Sequence, residues 1–159
     1  FLSGSGFTPT APTRIADTRS GSEQGIRTVT KTKIGGDTTL KVKFTDIAGL
    51  TPSTGVGAVS LNVTATSTTA DKFGGYVTVY PCGDRPSKVS VRLIAGQMSG
   101  NTVIVPLHPT THRICVYSSA LSDVVVDIAG WIANGKGFTA LSPGRISDTS
   151  KGVGAVPGR

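Results

Sequence analysis

From Ala58 to Thr66 apolar and polar residues alternate without a break, with Val59, Leu61, Val63 and Ala65 on one side of an extended chain and Ser60, Asn62 and Thr64 on the other. A period of two marks a strand with one buried face. The stretch Thr38 to Phe44 repeats the pattern, placing Leu40, Val42 and Phe44 together. With Thr28 to Ile34 before it and Gly35-Gly36-Asp37 between, it predicts a hairpin. Gly75 to Tyr80, Lys88 to Leu93, Thr102 to Leu107, Arg113 to Ser118 and Asp123 to Ile128 predict further strands, separated by Gly, Pro and Ser breaks. In the last of these, Val124-Val125-Val126 is a continuous apolar run, as a central strand covered on both faces requires. The expectation is an all-β chain of about eight strands, an antiparallel β-sandwich of jelly-roll or Ig-like type with extended terminal linker segments.

Composition sharpens this. In 159 residues there is one Glu (Glu23) and one Met, while Thr, Val and Gly are heavy, with 21 Gly. Strong helix formers are scarce, which excludes a helical bundle and disfavours a dinucleotide-binding α/β fold. A hydrophobic share of 37% is enough to build a core. No apolar run approaches the roughly 18 residues that span a membrane, so no membrane insertion is expected.

The chain also repeats itself. Gly6-Phe7-Thr8, Pro12, Arg14, Ile15, Asp17, Thr18 and Gly21 return, 131 positions later and without a gap, as Gly137-Phe138-Thr139, Pro143, Arg145, Ile146, Asp148, Thr149 and Gly152. A period of this length belongs to an array of whole domains, each with its own core. We therefore expect residues 1–23 to be an opening motif and linker, 24–135 the sandwich, and 136–159 the start of the next repeat. Phe7, Pro12, Arg14 and Asp17, with Phe138, Pro143, Arg145 and Asp148, are the candidate junction residues. Strict alternation would send Arg14 and Asp17 to opposite sides, whereas a turn at Ile15-Ala16 would join them as a charge-assisted pair. A smaller echo, Asp46 to Leu50 against Asp127 to Trp131, reads as a strand-end turn made twice.

Candidate chemistry is sparse. His108 and His112 are the only histidines, and Pro109 puts them in a loop with no Cys or carboxylate beside them to complete a metal site. The aspartates are scattered, and no nucleophile or phosphate-loop motif occurs. No enzyme activity, cofactor or metal is expected. Cys82 and Cys115 read as one disulfide formed in an oxidising compartment, the rival reading being two buried free thiols. The net charge of +7 is compatible with an anionic polymer as partner. Along the chain, however, aromatic residues do not interleave with basic ones, so nucleic acid is not an expected partner. Lys31, Lys33, Lys41 and Lys43 could form an anion-binding strip or protect an edge hairpin from unwanted pairing. Tyr76, Tyr117 and Trp131 could form a glycan-binding platform, with buried anchoring the alternative for Trp131.

These residues resemble a repeat module of actinobacterial secreted and cell-surface proteins, whose units open with F-x-P-x-x-P-x-R-(I or L)-x-D-T-R, here Phe7 to Arg19. The resemblance continues through Ala58 to Thr64, Gly75 to Gly83, Arg85 to Ser87, Asn101 to Val105, Ile114 to Ser118 and Val124 to Trp131, and so covers nearly the whole chain. The second opening departs from it, with Ser150 where the first has Arg19. The resemblance implies a non-catalytic extracellular repeat, in tandem or attached to a secreted hydrolase. The expected function is a structural or adhesive unit of a surface or fibre-forming bacterial protein, with neighbouring copies of the module as partners. The alternative is a carbohydrate- or cell-wall-binding module that holds a linked hydrolase near its substrate.

Overall fold

The computed structural model describes residues 6–36, 38–67, 74–136, 138–141, 146–148, 150–152 and 154. Eight strands form two four-stranded antiparallel sheets packed face to face, and the described residues contain no helix. The strands are β1 (Phe7–Asp17), β2 (Thr39–Lys43), β3 (Val56–Ser67), β4 (Gly75–Pro81), β5 (Val91–Leu93), β6 (Met98–Pro106), β7 (Arg113–Ser118) and β8 (Ser122–Ala133). The first sheet has the order β1-β8-β3-β6 and the second β2-β7-β4-β5. The all-β sandwich is thus the observed architecture. Its core is the alternating set read from the sequence: Val59, Leu61 and Val63 of β3, Val124, Val126 and Ile128 of β8, and Val42 and Phe44 from the opposite sheet.

Two departures from the expected strand set matter. Residues 28–33 form no ladder, and only Ile34 makes a bridge, to Ser122. The turn at Gly35 is real, with the Thr38 amide donating to the Gly35 carbonyl at 3.2 Å. The strand that follows pairs with β7 instead, Leu40 opposite Val116 and Val42 opposite Ile114. The alternation around Lys31 and Lys33 therefore marks a side-chain-anchored strap rather than half of a hairpin.

The missing strand is supplied by the opening motif. β1 runs antiparallel along β8, from Phe7 opposite Ile132 to Asp17 opposite Val125, and Ile15, Ala16 and Asp17 are buried. The boundary between linker and sandwich at residue 24 is therefore corrected: the body begins at Phe7. Pro9 and Pro12 cannot donate to a ladder, and the register slips between Pro9 and Thr13, as suits an edge strand. The outer edge of β1 is not bare, since the amides of Ile26 and Arg27 donate to the carbonyls of Arg14 and Ile15 at 3.1 and 2.8 Å. This cover limits stray strand pairing.

Val124, Val125 and Val126 are all buried, as expected for a strand second from the edge. Further along β8 the register slips against β3, with Leu61 opposite Ile128 but Ser60 opposite Gly130. One extra residue reverses which side chains face inward. Trp131, opposite the buried Val59, consequently points into the sandwich and packs on the core, while Gly130 faces out.

Candidate functional site

The opening motif forms a dense cluster of side-chain hydrogen bonds. A second register slip, between Arg14 and Ala16, brings Arg14 and Asp17 to one side, so the paired alternative holds. The Asp17 side chain has no exposed surface. It accepts from Arg14 Nη1 at 3.1 Å, from Arg19 Nη2 at 2.7 Å and Nε at 3.0 Å, and from the Arg19 amide at 3.0 Å. Arg14 Nε also donates to Asp127 of β8 at 3.0 Å. The Arg19 side chain, with help from its amide, holds the Asp17 carboxyl well below the usual aspartate range, against the opposing effect of burial. Thr18 completes the motif, its hydroxyl accepting the buried Val124 amide at 2.8 Å while its own amide donates to the Val124 carbonyl at 3.0 Å.

At the other end of β1 the Phe7 ring covers the outward face of Gly130. A Cβ there would sit 2.5 Å from the ring, and 2.8 Å from the Thr8 carbonyl. The Asp-Ile-Ala-Gly echo is therefore two different things. At Asp46 it is a turn, with Asp46 and Gly49 in the left-handed region and Ile47 bridged to Thr51. At Asp127 it lies within β8, so the turn reading is corrected there: its aspartate receives Arg14 and its glycine makes room for Phe7.

The second copy of the motif stands in a different setting. Pro143 and Arg145 lie outside the described residues. Phe138 and Ala140 line a shallow recess with Ala58, Pro106 and Ile132. Ile146, the counterpart of the fully buried Ile15, is 89% exposed. One piece of local geometry persists. The Ser150 amide donates to Asp148 Oδ1 at 3.1 Å, as the Arg19 amide does to Asp17. The Ser150 hydroxyl, 2.6 Å from the same oxygen, stands where the first copy uses a guanidinium. In both copies the aspartate thus caps the amide two residues on.

The four lysines do not form one strip. Lys31 Nζ donates to the Asp17 carbonyl, Ser22 Oγ and the Glu23 carbonyl, each at 2.9 Å, and so belongs to the opening motif. Lys33 is exposed in the strap, whereas Lys41 and Lys43 lie on the outer face of β2, the edge strand of the second sheet. Nor do the three aromatics form one platform. Trp131 faces the core, while Tyr76 and Tyr117 share the outer face of the second sheet, their ring centres 6.1 Å apart.

That face carries a cluster the linear sequence hides. Cys82 and Cys115 form a disulfide, which pins the loop following β4 across the outside of β7. The loop is held again where Thr78 Oγ1 donates to the Lys88 carbonyl at 2.8 Å. Between these anchors Arg85 lies over the Tyr117 ring, 3.8 Å from its centre, with Nη1 3.4 Å from the Tyr76 hydroxyl. Basic and aromatic residues do interleave here, in space rather than along the chain, and periodicity carried no signal for it.

His108 organises the β6–β7 loop. Its Nδ1 accepts the Thr110 and Thr111 amides at 3.2 Å each, and its carbonyl receives the His112 amide. Among the described residues no group of three or more His, Cys, Asp or Glu could hold a metal ion. Among the same residues no helix is long and apolar enough to cross a membrane. Compared with known proteins, the chain matches no protein-family model, no curated protein and no solved structure.

Proposed function

We propose that the chain is a non-catalytic, structural or adhesive repeat unit of an exported bacterial surface protein, built so that each unit opens with the strand that closes its own first sheet. The single observation behind this reading is the contrast between Ile15, fully buried beside β8, and Ile146, 89% exposed at the same place in the same motif. An apolar residue in an otherwise matched motif is left in water when the surface that should cover it belongs to another body. On this reading residues 138–152 are the first strand and turn of a following unit, and neighbouring copies are the partners. The disulfide suits an oxidising, extracellular setting. Sedimentation over a wide concentration range tests the adhesive part. Self-association that rises with concentration and disappears on removal of residues 137–159 is the expected outcome. Association unchanged by that removal, or absent throughout, contradicts it.

A further inference from the structure

The second sheet turns a basic face outward. On β2, Leu40 and Val42 point inward and Lys41 and Lys43 outward; on β7, Ile114 and Val116 point inward and Arg113 and Tyr117 outward. Register places Lys43 directly opposite Arg113, Tyr117 opposite Thr78, and Tyr76 opposite Arg92. Arg85 adds a fifth cation from the disulfide-pinned loop. From the Arg113 row to the Tyr76 row, which meets Ser119, the face runs about 20 Å at the rise of an extended strand.

Among the described residues none of these cations has a carboxylate partner. Among the described residues the ion pairs are Arg14 with Asp17, Arg14 with Asp127, and Arg19 with Asp17, all at the opening motif on the other sheet. Two like charges directly opposed on neighbouring strands, as Lys43 and Arg113 are, cost the sheet stability. Edge protection accounts for lysine on β2 but not for arginine on β7, an inner strand. Arg85 is already oriented. It lies over the Tyr117 ring with Nη1 directed at the Tyr76 hydroxyl, and a guanidinium held there has further N–H donors with which to grip a planar oxyanion.

We infer that the outer face of the second sheet, with Arg85, Lys43, Arg92 and Arg113 as its contacts, binds a linear acidic polysaccharide through its carboxylates. The rings argue against base stacking, because Arg85 covers Tyr117 and Tyr80 is buried. The same covering argues against a neutral sugar stacked on Tyr117. The aromatic residues position the cation, and the cations make the contact. The cations lie in rows on an open sheet, which suits a chain with repeated charges better than a single small anion.

The test is a titration of the whole chain with polygalacturonate oligomers, with neutral dextran and single-stranded poly(dT) as comparison ligands. Saturable binding to polygalacturonate that weakens with added salt is expected, with no binding to dextran and weaker binding to poly(dT). Arg85→Ala, and separately Lys43→Ala with Arg113→Ala, should each weaken binding roughly tenfold. Lys136→Ala, which removes one exposed charge elsewhere, should leave it unchanged. Thermal melts of each variant should match the parent, showing that these exposed substitutions leave the fold intact. Equal losses from Lys136→Ala and Arg85→Ala would reduce the effect to net charge and overturn the proposal. Binding to dextran, or tighter binding to poly(dT) than to polygalacturonate, would overturn it as well.

Discussion

Asp17 is the side chain around which the opening motif is arranged, and its burial makes that arrangement measurable. Its carboxyl is held below the ordinary aspartate range in the folded chain, against about 3.9 when unfolded. A depressed folded pKa contributes stability that is complete above the unfolded value and is lost as the pH falls below it. Thermal melts from pH 7 to pH 2 should therefore show the parent losing stability mainly below about pH 4, and Asp17→Asn losing less over the same window. At pH 7 the variant should be less stable by about 1–2 kcal/mol, a figure discounted because Arg14 and Arg19 keep 42% and 40% of their side-chain surface in water. Gly130 offers a second test at this scale. Gly130→Ala places a methyl group against the Phe7 ring and should cost about 1–3 kcal/mol. A double-mutant cycle with Phe7→Ala should recover part of that loss, leaving the share due to the Thr8 carbonyl.

The strands were legible where alternation and partner agree. Val59 to Ala65 and Ile114 to Val116 follow their patterns into the core. The pattern misled where polar spacing came from anchoring rather than pairing. Lys31 sits at a strand-like position, yet its ammonium reaches three acceptors around the opening motif and its segment joins no sheet. β1 was hidden for the opposite reason: Pro9, Pro12 and two register slips break its alternation, so it read as a linker. The register slip beyond Ile128 also has no sequence signature, and it alone decides that Trp131 faces inward. The cysteines were legible as a pair, but not the loop they pin. In the chain-entropy model a 33-residue separation is worth roughly 3–4 kcal/mol. Cys82→Ala with Cys115→Ala should lower stability by that order in denaturant melts. Hydrogen exchange should quicken first at the Ser90 amide, which donates to the Val77 carbonyl at the far end of the loop.

Across the whole molecule, the chain holds two copies of one opening motif and one described place for it. The described start of the tail lies towards β3 and β6, where Phe138 and Ala140 line a recess with Ala58 and Pro106. After β8 a turn over Asn134-Gly135, closed by the Lys136 amide on the Ala133 carbonyl at 3.2 Å, reverses the chain. Lys136 then packs against Gly6, the residue before β1. By the 131-residue offset, Gly137 is the sequence counterpart of Gly6. In an array each body would take the copy that precedes it, and the copy that follows would pass to the next body. On the proposed reading, a chain deprived of its first copy would draw on its second copy as a substitute.

The claim that both ends are the same structural strand is tested most directly by urea unfolding of a chain lacking residues 1–23, compared with a chain lacking both 1–23 and 137–159. The account predicts a cooperative transition in the first, at a lower midpoint than the parent, and none in the second. Cooperative unfolding of equal midpoint in both shortened chains, or in neither, would show that the tail is no substitute for β1 and would contradict it.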